Sequence, residues 1–158
     1  MTRQQALNTI WQRLLVVLCC CLAISMGVLF AGDIAGVGVL VFVVGNIGGY
    51  VSVHRGVNEL KDAEVIEMSA GWWPIIAPPF VGGILALVMY LLFMANILAG
   101  DLFPKFEADE NSPVGLQSLL AQHATGMPAY AKLLFWSFVA GFNQKYVVDI
   151  INSIRAKP

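Results

Sequence analysis

The sequence predicts an all-α polytopic membrane protein with four transmembrane helices, the fourth partly polar, and a short interfacial helix in the third loop. Three observations carry that prediction. Of 158 residues, 58% are hydrophobic and only 12% charged, about half the roughly 25% charge of soluble domains. The apolar residues gather into runs separated by polar connections, and the basic residues sort unevenly among those connections. A soluble chain of this size could not hide so much apolar surface in one core, whereas lipid removes the problem.

The first run, Leu14 to Ala31, is 18 residues long and follows Arg3 and Arg13. A secretion signal has an apolar core of only about 7–15 residues, and here a second run follows almost at once, so the segment reads as a retained transmembrane helix. Gly32 and Asp33 break it from the second span, Ile34 to Val53. So short a connection predicts an antiparallel helical hairpin. Between His54 and Gly71 the chain turns polar and reads as a helical extension of the second span, ending near Ser69. Trp72 and Trp73 mark a water interface. Pro74, Pro78 and Pro79 then predict a third span that starts near Pro79, because proline is tolerated in a first turn, and that runs to about Leu98. Its eleven Leu, Ile, Val or Phe residues favour insertion by roughly 3–7 kcal/mol.

Asp101 to Pro128 is the longest polar connection. Within it Ser112-Pro113 has the form of a helix cap and first-turn proline, and Leu116, Leu119, Leu120 and His123 fall on one helical face. Gly126 and Pro128 end that short helix. The fourth span, residues 132–151, has an apolar heart of only ten residues, Leu133 to Phe142, where a span needs about 20. Lys145 and Asp149 would each cost about 2.5–3.5 kcal/mol at bilayer centre, so insertion of this segment relies on snorkelling, on protein neighbours, or on pairing of the two charges one turn apart.

Four spans starting from an inner N-terminus place Arg3, Arg13, Arg55, Lys61, Lys145, Arg155 and Lys157 inside and only Lys105 and Lys132 outside. That bias predicts both termini in the cytoplasm and the 101–128 loop outside. The net charge of −1 gives no basic field for nucleic acid. Cys19, Cys20 and Cys21 are consecutive, so on a helix they point in different directions and form neither a disulfide framework nor a metal spacing. They read as small apolar filler. The two histidines fall on opposite sides of the membrane. With no phosphate loop, nucleophile elbow or zinc motif, the chain reads as non-enzymatic and without cofactor or metal.

Two groups of residues stand out as candidates. Gly45 and Gly49, four residues apart in the second span with Asn46 beside them, form a surface that lets another helix approach closely, in the same chain or another. Asn143, Gln144, Lys145 and Asp149 form the densest polar cluster near membrane depth. It either lines a pathway or marks where the helix leaves lipid.

The stretch Trp72-Trp73-Pro74 through Tyr90 to Gly100-Asp101-Leu102-Phe103-Pro104 resembles small bacterial inner-membrane proteins of uncharacterised function. Phe138-Val139-Ala140-Gly141-Phe142-Asn143-Gln144-Lys145 resembles the Gly-Phe-Ser-Glu-Arg type motif near the C-terminus of such proteins, with Asn, Gln and Lys in place of Ser, Glu and Arg. The resemblance implies a bacterial inner-membrane address and no activity. Two functional readings follow from the residues. One is a homo-oligomer that encloses a pore or perturbs the membrane. The other is an accessory or scaffold subunit whose glycine face docks on a different membrane protein.

Overall fold

A computed structural model describes residues 2–31, 35–57, 60–107 and 122–144. Those residues form five helices and one two-stranded sheet: α1 (Arg3–Ala31), α2 (Ala35–Gly56), α3 (Asp62–Ala70), α4 (Trp73–Met94), β1 (Phe106–Glu107), β2 (His123–Ala124) and α5 (Gly126–Phe142). Three of the helices, α1, α2 and α4, are long and apolar enough to cross a bilayer, and the chain is accordingly a mostly helical membrane protein.

α1 begins eleven residues before the apolar run. Thr2 stands before its first turn, and the Thr2 backbone N–H donates to Gln5 Oε1 at 3.1 Å, one half of a capping box. The helix therefore carries a polar third, Arg3 to Arg13, that precedes the lipid-soluble part. α2 runs back antiparallel to it, with the Trp11 and His54 rings 4.3 Å apart.

α3 is not the extension of α2 that the polar pattern predicts. α2 ends at Gly56 and α3 starts afresh at Asp62, where the Lys61 N–H donates to Glu64 Oε2 at 2.9 Å. α3 packs back on the polar third of α1. The reason is burial: Val57 and Val65 join Ala6, Ile10, Leu14 and Ile75 in one apolar cluster, and a straight extension would leave them in water. Arg13 ties this layer together, its Nη1 donating to the carbonyls of Ser69 at 3.0 Å and Gly71 at 2.6 Å.

α4 starts at Trp73, six residues earlier than the predicted Pro79, and passes through Pro78 and Pro79. Each proline removes one intrahelical N–H, yet a membrane helix tolerates this where neighbours support it. Here α2 gives that support: a methyl group on Gly49 would lie 2.7 Å from Pro79 Cα. The helix also ends earlier than the predicted Leu98. Asn96 adopts φ 54°, and N–H groups of Asn96 and Ile97 donate to Phe93 O at 2.9 Å and Leu92 O at 3.0 Å, a Schellman closure with asparagine in the left-handed position.

Beyond α4 the chain forms a strap that doubles back along α5. Trp136 Nε1 donates to Leu102 O at 3.0 Å, Lys132 Nζ to Asp101 O, and the Thr125 N–H and hydroxyl both to Lys105 O at 3.0 Å. Phe103 sits between Phe93 and Trp136, at 5.6 and 5.2 Å. β1 then pairs antiparallel with β2, Phe106 opposite Ala124 and Glu107 opposite His123. His123 is thus a strand residue, not part of the predicted surface helix; the rest of that helix, Ser112 to Leu120, lies outside the described residues.

α5 starts at Gly126, with φ 75°, and takes Pro128 into its first turn. Gly126 and Pro128 therefore open a helix here, where the sequence pattern has them close one. α5 ends at Phe142 with Asn143 as cap; of the span predicted over 132–151, residues 145–151 lie outside the described residues. At 17 residues it is about 25 Å long, short of the ~30 Å hydrocarbon layer. Four full spans are therefore not established by the described helices.

Candidate functional site

The centre of the molecule is a crossing of α2, α4 and α5 built from backbone rather than side chains. A methyl group on Gly45 would lie 2.5 Å from Ala86 Cβ and 2.7 Å from Gly82 O. One on Gly82 would lie 2.7 Å from Gly45 O and 3.0 Å from Gly141 Cα. Gly48 faces the carbonyl of Phe138, and Gly141 faces the carbonyl of Gly45. Such approach distances are open only to glycine, and in lipid close packing of this kind replaces the hydrophobic drive between helices. Above it Val41, Ala86, Met89, Phe93, Leu133 and Ala140 form the second apolar cluster.

Gly45 and Gly49 thus meet helices of their own chain: Gly45 touches α4 and α5, and Gly49 touches the two prolines of α4. Asn46 is buried at 8% exposure and donates from Nδ2 to Phe42 O at 2.8 Å. That bond stays within α2, and the amide packs on Gly83. Gly82, Gly83 and Gly141 complete the crossing and were not singled out by sequence. The signal for them is the Gly82-Gly83 pair inside an otherwise uninterrupted apolar run, and Gly141 at the end of the Leu133–Phe142 stretch.

The polar candidates divide. Asn143 is exposed and caps α5, its N–H donating to Val139 O at 2.8 Å. Gln144 reaches across and donates from Nε2 to Pro78 O at 3.0 Å, which pins the end of α5 to the proline segment of α4. Lys145 and Asp149 lie outside the described residues. Gln144 and Gly49 therefore converge on Pro78–Pro79 from two helices, while Asn46 lies toward the other end of the crossing.

α1 stands apart from this centre. Only 11% of its membrane-crossing window is buried within the chain, against 33% for α2 and 39% for α4. Leu15, Leu22, Met26 and Phe30 are exposed, as are Cys19 and Cys20. Gly27 on α1 and Gly38 on α2 each face open space to 4 Å. The hairpin is closed at its Trp11–His54 end.

Chemically the crossing can hold helices together and little more. His54 lies at the N-terminal side of the bundle and His123 at the opposite side, and no group of three His, Cys, Asp or Glu side chains gathers as a metal site among the described residues. No family model, curated protein or solved structure matches the chain.

Proposed function

We propose that this chain is a non-enzymatic integral membrane protein that assembles with copies of itself through α1, with both termini cytoplasmic in a bacterial inner membrane. The observation that carries the reading is the contrast between helices. The glycine faces of α2, α4 and α5 are consumed inside the chain, whereas the outer part of α1 is left open on an apolar surface with an unpacked Gly27. Lipid covers such a surface, but a small residue in open space also lets a second helix approach closely. Membrane oligomers are most often built from identical copies. A pore, in this reading, runs between copies, because the α2–α4–α5 crossing is closed by backbone contact. Orientation rests on the excess of Arg and Lys on the N-terminal side of α1 and the α2–α4 connection.

The chain supplies its own probes. All three cysteines sit on α1, and successive helical positions are about 100° apart, so they sample most of its circumference. Oxidation of native membranes with copper phenanthroline is expected to give a covalent dimer at twice 17.1 kDa, lost in Gly27→Leu and in a variant with all three cysteines changed to serine. A chain that stays monomeric in this test, and in native mass spectrometry from nanodiscs, removes self-assembly and leaves α1 as the docking face of an accessory subunit.

A further inference from the structure

Arg13 holds a charge that has no acidic partner among the described residues. The ion pairs among the described residues are Arg3–Asp62 and Lys105–Asp101, and Arg13 belongs to neither. Its guanidinium is half-buried and fixed: Nη1 donates to Ser69 O and Gly71 O, and the group lies 4.9 Å from the centre of the Trp72 ring. Ser69 lies in the last turn of α3 and Gly71 between α3 and α4, so the cation on α1 is held against the end of α3. Nε and Nη2 make no hydrogen bond among the described residues. Arg13 as a whole is half-buried, and the buried, unpartnered side-chain N and O atoms among the described residues do not include Nε or Nη2.

Arg13 also stands at one particular depth. The next residue, Leu14, is fully buried in the apolar cluster; Trp72 lies against the guanidinium, and Trp73, the next residue in the chain, is 77% exposed. Tryptophans of this kind sit at the headgroup level. A partly buried charge calls for a counter-ion, and the anion present at that depth is the phosphodiester. A guanidinium matches it with two parallel N–H groups, which an ammonium cannot do.

We propose that Arg13, with Trp72 and Trp73, binds the phosphate of a membrane phospholipid in the leaflet on the N-terminal side. The turn carbonyls orient the guanidinium so that its remaining edge faces the headgroup layer, and the indoles flank the lipid. The bound lipid would then form part of the seam between α1 and the α3–α4 turn.

The test uses full-length protein in detergent, titrated with phosphatidylglycerol and read by native mass spectrometry. The wild type is expected to retain one phospholipid per chain that Arg13→Gln loses, with affinity weaker by at least about tenfold. Arg13→Lys is expected to fall between them. Trp73→Ala disturbs neither carbonyl bond and is expected to lower the same occupancy, so the proposal stays testable if Arg13→Gln does not fold. Equal retention in wild type, Arg13→Gln and Trp73→Ala would overturn it. So would equal retention of a phosphate-free glycolipid, or displacement of the lipid by millimolar inorganic phosphate, which would mark a site for the free anion.

Discussion

Glycine in this chain has two different roles, and the surroundings of each residue decide which. Gly45 and Gly141 sit where a β-carbon would collide with backbone of a neighbouring helix, whereas Gly27 and Gly38 face open space. Backbone cannot move aside as the end of a flexible side chain can. Gly45→Leu and Gly141→Leu are therefore expected to destabilise the fold by at least about 1–3 kcal/mol, the usual effect of overpacking, read as a lower midpoint of unfolding in mixed micelles. Gly27→Leu is expected to change that midpoint by less than about 0.5 kcal/mol, the range of a substitution that meets nothing, while abolishing the α1 cross-link. The sequence shows all of these as glycines in apolar runs and does not tell them apart. Asn46 makes the same point: its amide bonds its own helix, a choice set by how closely Gly83 lies against it.

At the scale of elements, the largest differences from the sequence pattern lie at helix ends. α4 starts before its prolines rather than at them, and α5 starts at Gly126 and Pro128. In both cases prolines lie on the other side of a helix boundary from the one the sequence pattern gives them. Pro78, read as lying before the span, falls within α4, and Pro128, read as closing a helix, falls in the first turn of one, each supported by neighbouring structure. For α4 that is Gly49 and Gln144; for α5 it is the strap fixed by Thr125, Lys132 and Trp136. The strap gives a direct test. Trp136→Phe keeps the aromatic contact with Phe103 but deletes the N–H donor to Leu102 O, an interaction that contributes about 1 kcal/mol. Hydrogen exchange is expected to quicken by roughly fivefold in residues 100–107, since each 1.4 kcal/mol is tenfold, and to stay unchanged in α2. Equal exchange in both proteins would show that the aromatic contacts alone hold the strap.

For the whole molecule, the arrangement is a closed three-helix centre with α1 fastened to it at one end. The fastening is the layer of Ala6, Ile10, Val57, Val65 and Ile75 with Arg13 across it. Leu15, Leu22, Met26 and Phe30 on the rest of α1 are exposed. This arrangement places Lys61 and Lys105 at opposite ends of α4, whose 22 residues span about 33 Å, the thickness of the hydrocarbon layer. In a background with the three cysteines changed to serine, Lys61→Cys and Lys105→Cys are expected to react with a membrane-impermeant maleimide from opposite faces of sealed inverted vesicles, Lys61→Cys from the cytoplasmic one. Labelling of both from one face would rule out α4 as a span. Labelling with the faces exchanged would keep the span and reverse the proposed orientation.

The amino-acid sequence by itself determined that this is a helical membrane chain, where its apolar runs lie, and that Gly45 and Gly49 meet another helix. These follow from hydropathy and residue size, which are local properties and hold whatever the runs pack against. Only the tertiary structure decided which helix meets which glycine, that α3 folds back on α1, that the prolines lie within α4, and that α1 is the helix left open. The glycine and proline contacts depend on backbone approaching backbone closely, and the return of α3 depends on burying Val57 and Val65 against α1. They are properties of pairs of elements far apart in the chain, and no single run of residues contains them.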